Sequence, residues 1–277
     1  MIIVFMTSGP IRTFRGLLVG LALATPVAHA FNAPAHRVIG HIAVANACAD
    51  TRAAIDELDP DRSTAEAGTW ADEIRGEKYW DALKPWHYMN IPDGVALEDA
   101  KRSRRGDVLL GIEKFAAELA NPDTESLDRK VAYRLLVHFV ADIHQPLHVG
   151  RREDLGGNKI TVSLDGRRTS LHAYWDGYDL ARVVDDPREY ARYLQERFAG
   201  AAAATGGSPA DWATESLEHR AAAYAVPEGL IVVLSDEYRD KAMEIINLRL
   251  YQAGVRLAGM LDEVFCTAAE SGAEGEA

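Results

Sequence analysis

Between Val131 and Ile143 the chain is held to a helix. Val131, Leu135, Leu136, Phe139, Val140 and Ile143 recur at spacings of three and four, the period of one helical face. The same stretch carries His138 and Asp142 at i and i+4, an imidazole and a carboxylate about 5–6 Å apart at Cβ, a spacing suited to a shared metal ion. Pro146 ends or kinks this helix and turns the chain into a loop, and His148 follows it. His172-Ala-Tyr-Trp-Asp176 repeats the His-x-x-x-Asp spacing. One such pair is ordinarily a surface ion pair or a satisfied core histidine. Two identical pairs with a third histidine between them point to chemistry.

With 277 residues, 48% of them apolar and 26% charged, the chain can bury a sizeable core, which excludes a disordered tail or a disulfide-dependent miniprotein. A net charge of −12 argues against holding nucleic acid through a wide basic surface. It leaves room for an enzyme whose positive charge is supplied locally by metal ions. Arg12 and Arg15 precede an apolar run over 16–25, and Ala28-His29-Ala30 has the small-x-small form of a cleavage site. Residues 1–30 therefore read as a secretory signal peptide cleaved after Ala30, too short in its apolar run to anchor in a bilayer, which takes about 20 residues. The mature chain is expected in the periplasm or the medium, off the membrane. There Cys48 and Cys266 can pair and tie the chain's extremes together; the alternative is two buried free thiols, because spacing alone does not show their separation. Two cysteines exclude a cysteine-based zinc cluster.

The fold class expected is all-α, a mainly helical single domain over 31–266 with one short β-hairpin. A second long helical pattern runs through 245–261. Lys159-Ile-Thr-Val-Ser-Leu164 alternates instead, and Asp165-Gly166 is a hairpin turn signal. Residues 199–211, rich in Ala, Gly and Ser, read as a surface connection, and 267–277 as a flexible acidic tail.

Three more candidate ligands lie upstream. Asp72 sits in a helical stretch over 69–75, His87 follows Pro85-Trp86, and His36 lies five residues after the expected new N-terminus at Phe31. Cleavage there would free an α-amino group, which titrates near pH 7.7–8.0 and can ligate a metal when neutral. Imidazoles, carboxylates and an amine without a thiolate suit catalytic zinc better than closed structural zinc. Eight side chains exceed one tetrahedral ion, so convergence would make the site multinuclear.

The ordered set Phe31-Asn-Ala-Pro-Ala-His36, Trp70-Ala-Asp72, Trp86-His-Tyr88, His138 to His148, Gly156-Gly-Asn158, Leu171-His-Ala-Tyr-Trp-Asp176 and Trp212-Ala-Thr-Glu-Ser216 resembles the zinc-dependent type I nucleases. These are single-strand-preferring nucleases and 3′-nucleotidases with a mainly helical, phospholipase C/nuclease-like fold. The resemblance implies three Zn²⁺ ions: one held by Asp72, His87, His138 and Asp142, a close neighbour by the Phe31 amino group and carbonyl with His36 and Asp142, and a third by His148, His172 and Asp176. It implies Asp72 as the group that orients the attacking water and accepts its proton, and Arg75 as the phosphate contact. Tyr88 and Leu155 fall where the family sandwiches a nucleobase, with Asn90 placed to bond a base edge. Phe31 departs from the family's usual Trp; Pro34-Ala35 and Ser170 are smaller departures.

The expected activity is hydrolysis of single-stranded DNA and RNA to 5′-phosphate products, with removal of 3′-phosphates from nucleotides, by a monomer. A zinc-dependent phospholipase C uses the same metal plan on a lipid headgroup, and a periplasmic metal-binding protein without turnover is the non-enzymatic alternative. His41 and His144 read as helix-packing residues, and His219 has no matched role.

Overall fold

Helices carry the fold in the computed structural model, which describes residues 31–200 and 206–266. The signal peptide expected over 1–30, the tail over 267–277 and part of the 199–211 connection lie outside the described residues. Asn32 opens α1 (Ala33–Asn46), its side chain accepting from the Ala35 amide while Pro34 occupies the first turn, where no backbone donor is needed. α2 (Ala49–Leu58), α3 (Thr64–Ala67) and α4 (Trp70–Glu73) follow; α4 passes into a 3-10 turn at Ile74–Gly76 and a longer 3-10 stretch, Lys78–His87. α5 (Val108–Ala120) packs along α6 (Ser126–Ile143), the centre of the molecule. From Leu135 to Ile143 every α6 residue is buried, apolar and polar alike.

The hairpin forms β1 (Thr161–Leu164) and β2 (Arg167–Ser170), antiparallel with Leu164 opposite Arg167 across the Asp165-Gly166 turn. α7 (Leu171–Ala173), α8 (Leu180–Val183), α9 (Pro187–Arg197) and α10 (Pro209–Ala223) lead to β3 (Val232–Val233) and α11 (Asp236–Phe265). β3 adds to the hairpin as a parallel edge, giving a three-stranded sheet in the order β2-β1-β3. Periodicity missed β3 because two residues carry no alternation. α11, at 30 residues, extends well beyond the 245–261 pattern at both ends, and it packs against α1.

The last turn of α6 leaves backbone carbonyls without helical partners. Ser216 Oγ on α10 donates to the Ile143 carbonyl at 2.6 Å, and Arg249 Nε on α11 donates to the His144 carbonyl at 3.1 Å. Arg249 is fully buried, yet every branch of its guanidinium is used: Glu215 and Gln252 accept from Nη1, and the Trp212 carbonyl and Ser216 Oγ from Nη2. His144 is buried with Nδ1 donating to the Val140 carbonyl and Nε2 accepting from Arg256. The segment Trp212–Ser216 is thus a clasp on the end of the helix that carries His138 and Asp142.

Cys48 and Cys266 form a disulfide, with Cα atoms 6.2 Å apart across 218 residues of sequence. Closing so long a loop restricts the unfolded chain strongly. The double substitution Cys48→Ser/Cys266→Ser should lower stability by about 2–5 kcal/mol with the fold retained, as read by urea unfolding at fixed metal concentration.

Candidate metal centre

The histidines and aspartates separated by up to 140 residues in sequence come together around the C-terminal half of α6. Three sets have ligand-capable atoms within 4.8 Å of one another: His36, His138 and Asp142; Asp72, His87 and His138; and His148, His172 and Asp176. Asp142 joins them. Its Oδ2 lies 2.9 Å from His87 Nδ1 and 3.1 Å from His138 Nε2, while its Oδ1 lies 3.7 Å from His36 Nε2 and 3.9 Å from His148 Nδ1. In the third set Asp176 Oδ1 is 3.6 Å from His172 Nε2 and 3.9 Å from His148 Nε2. Tetrahedral ligands about 2.0–2.2 Å from one ion stand about 3.3–3.6 Å apart, so the Asp142, His87 and His138 atoms, at 2.9–3.1 Å, would open by a few tenths of an ångström around an ion.

Backbone carbonyls fix the orientation of three rings. His138 Nδ1 donates to the Gly68 carbonyl at 2.7 Å, His148 Nδ1 to the His87 carbonyl at 2.6 Å and His172 Nδ1 to the Gly156 carbonyl at 2.7 Å. Each therefore keeps a proton on Nδ1 and turns Nε2 toward the carboxylates, the arrangement of metal-binding imidazoles; on His138, which Asp142 raises to about 9, Nε2 carries a second proton that a cation would displace. The His36 and His138 rings stack at 4.3 Å, as do His148 and His172 at 5.2 Å.

Burial sets the electrostatics. It pulls His36 well below the usual imidazole range and His148 down to about 3, so both are neutral donors at pH 7. Burial would lift the Asp142 carboxyl, but the charge of His138, with hydrogen bonds from His138 and His87, outweighs it and holds the group well below the carboxylate range. Asp176, buried and repelled by Asp142 and Asp72, is pushed well above that range. A cation beside it would restore its charge. Five buried atoms here, His36 Nδ1 and Nε2, Asp72 Oδ1, Asp142 Oδ1 and Asp176 Oδ2, have no hydrogen-bond partner within the protein. Leaving such groups unmatched costs about 1–3 kcal/mol each, more for a charge. The donor set of imidazoles and hard carboxylate oxygens, convergent and with five of its buried atoms unspent, fits a cluster of divalent cations of the zinc type.

The other expected site residues lie around this cluster. Phe31 is wholly buried at the head of α1. Arg75 Nη1 lies 3.6 Å from Asp72 Oδ1, and Arg75 lines a shallow pocket with Trp80, Lys84 and His87. Tyr88 and Asn90 are half-buried, on extended chain after the 3-10 stretch, and Leu155 is 57% exposed with a left-handed φ of 56°.

Two residues that support the site escaped sequence reasoning. Gln145, fully buried, donates from Nε2 to Asp176 Oδ1 at 2.7 Å and is itself held by the Leu147 amide. Asn32 does three things at once: its side-chain oxygen caps α1, its Nδ2 donates to the Gly177 carbonyl at 2.6 Å, and its backbone amide donates to the Asp176 carbonyl at 2.7 Å. Gly177 has φ 111°, and a Cβ there would stand 2.9 Å from Asn32 Nδ2, so the turn after Asp176 needs glycine. Asn32 two residues ahead of Pro-Ala-His was legible as a helix cap; its second partner, 145 residues away, was not.

Residues 32–266 match the family model described as S1/P1 Nuclease. Among curated relatives, Endonuclease 2 of Arabidopsis thaliana is 29% identical over 282 residues, covering 90% of this chain and 95% of its own. Endonuclease 4 of the same plant is 30% identical, over 78% and 83% of the two chains. Nuclease S1 of Aspergillus oryzae is 28% identical, over 82% and 89%.

Asn32→Ser keeps a good helix cap but loses the amide donor to Gly177. It should weaken divalent-cation affinity about tenfold, the lower end of the effect of losing an outer-shell partner, with the helical circular dichroism unchanged. Calorimetric titration of metal-stripped protein with zinc reads this; an unaltered Kd would mean that the Asp176 turn holds itself.

Proposed function

This chain belongs to the S1/P1 nuclease family, zinc-dependent hydrolases of nucleic-acid ester bonds, and from that premise we propose that it is an exported, monomeric trinuclear-zinc phosphodiesterase. Its substrates are single-stranded DNA and RNA, cleaved to 5′-phosphate products, and 3′-nucleotides, from which it removes the 3′-phosphate. The nuclease domain spans 31–266. The observation that carries the reading is Asp142, whose two carboxylate oxygens face different imidazole sets inside a buried cluster of unspent lone pairs.

Asp72, His87, His138 and Asp142 would hold one zinc; His36 and Asp142, with the amino group and carbonyl of Phe31 once cleavage frees them, a second; His148, His172 and Asp176 a third. When bound, the ions supply a concentrated positive charge that draws a phosphodiester into an otherwise acidic protein and lowers the pKa of water toward 7. The remaining work falls to side chains. Asp72, with Oδ1 buried and unpartnered by hydrogen bonds, orients the attacking water and takes its proton. Arg75, one turn on and 3.6 Å from that oxygen, binds a non-bridging phosphate oxygen and offsets the charge that grows in the transition state. Leu155, held outward on its left-handed residue, packs on a base with Tyr88 opposite, and Asn90 bonds the base edge. Stacking of this kind tolerates different bases.

Export is supported by the Cys48–Cys266 disulfide. Among the described residues no helix is long and apolar enough to cross a membrane.

Purified mature protein should cleave single-stranded DNA, RNA and 3′-AMP but not a phosphatidylcholine analogue, and should lose all activity to a chelator and regain it with zinc. Hydrolysis of the lipid in preference to the nucleic acids would overturn the reading. Asp72→Asn should fold and retain metal but lose at least 100-fold in kcat, the scale of a general base; near-normal turnover at normal zinc content would remove Asp72 from that role.

A further inference from the structure

The densest run of cations in the chain is Lys101-Arg-Ser-Arg-Arg105, four in five residues of a protein with net charge −12. All four side chains lie on exposed residues. Glu98 and Asp99 precede the run in a separate 3-10 turn, Leu97–Asp99, and no further acid occurs until Asp107. Asp107 is buried and answered within the loop: it accepts from Arg102 Nη2 at 2.6 Å and caps α5 through the Leu110 amide at 3.1 Å. Lys101, Arg104 and Arg105 make no ion pair among the described residues.

The run has a defined shape and a defined place. The Arg105 amide donates to Ser103 Oγ and the Gly106 amide to the Ser103 carbonyl, both at 3.2 Å. Trp86 Nε1 donates to the Arg105 carbonyl at 2.7 Å, and the Val108 amide donates to the Tyr88 carbonyl at 3.3 Å. Gly106 has φ 92° and lies so close to the indole that a Cβ would stand 2.2 Å from Trp86 Nε1. The loop is therefore fastened to the residues on both sides of His87, whose Nδ1 is 2.9 Å from Asp142.

We propose that Lys101, Arg104 and Arg105 form a rail for the phosphodiester backbone of a strand that extends beyond the reacting nucleotide. The inference rests on the function proposed above and deepens it, making a polynucleotide rather than a mononucleotide the substrate this chain is built to hold. A single nucleotide spans only the metal cluster and its base contacts, whereas a longer strand brings further phosphates over a surface that is acidic overall. Three unpaired cations clamped beside a ligand segment relieve that repulsion without reading sequence.

The test compares the holoenzyme with Lys101→Ala/Arg104→Ala/Arg105→Ala, using fluorescence anisotropy of a labelled single-stranded phosphorothioate 20-mer and steady-state kinetics on the unmodified 20-mer and on 3′-AMP. Each phosphate neutralised on a single strand contributes about 0.7 to the slope of log affinity against log salt. The triple variant should lose about 2 from that slope, so that wild-type binding falls about 20-fold more than the variant's between 50 and 200 mM salt. KM for the 20-mer should rise at low salt with kcat retained, and kinetics on 3′-AMP should stay within about twofold, the scatter expected of surface substitutions. Lys101→Arg/Arg104→Lys/Arg105→Lys, which keeps the charges, should behave as wild type. An unchanged salt slope, or an equal loss on the 20-mer and on 3′-AMP, overturns the rail. Wild type that binds the 20-mer with the steeper slope yet hydrolyses neither substrate would leave the rail standing and remove the proposed reaction.

Discussion

The candidate site is arranged around one buried carboxylate that its own protein satisfies on one oxygen only. Asp142 sits at zero exposure on the central helix, with imidazoles facing both of its oxygens, and Oδ1 has no hydrogen-bond donor. Burying a charge in a protein interior is costly unless it is paired. The His138 imidazole provides part of the compensation, raised to about 9 because the attraction of Asp142 outweighs the cost of burying the ring. The rest of the cluster, two further carboxylates and four further imidazoles, adds polar groups faster than it adds partners. A set of this composition makes physical sense as a cation site, and membership in a zinc-dependent nuclease family gives that sense a chemistry.

The fold meets the demand by making α6 rigid from behind. The Ser216, Arg249 and His144 contacts occupy the helix's terminal carbonyls, and Arg256 binds His144 from the far side, so the turn bearing Asp142 has no freedom to relax away from its neighbours. A fully buried arginine is an expensive way to end a helix, and its guanidinium is pulled down to about 10 by burial. It is matched by Glu215, which Arg249 and Arg256 together keep ionised against the effect of burial. On the front, Gln145 and Asn32 tie Asp176 to the loop after α6 and to the head of α1. The three histidine and aspartate sets are therefore not independent pockets but parts of one hydrogen-bonded frame.

The placement of positive charge follows the same economy. The chain is acidic, yet it sets Arg75 against Asp72 and the Lys101–Arg105 loop, its densest run of cations, against Trp86. In the function and the rail proposed above, the interior cluster would act on the reacting phosphate and the exterior loop on its neighbours along a strand.

The sequence by itself determined the helical class, the hairpin at Asp165-Gly166, the end of α6 before Pro146 and the residue types of the candidate site, because each is a local matter of period, turn chemistry or spacing. His138 and Asp142 are i and i+4 on any helix. β3 was illegible because two residues have no pattern, and the clasp of Trp212 to Ser216 because a buried arginine reads in sequence like any other arginine. Which oxygen of Asp142 faces which ring, the pairing of Cys48 with Cys266 and the bond from Asn32 to Gly177 were decided only by tertiary structure. Contacts spanning 145 or 218 residues depend on how whole elements pack, and no local rule carries that distance.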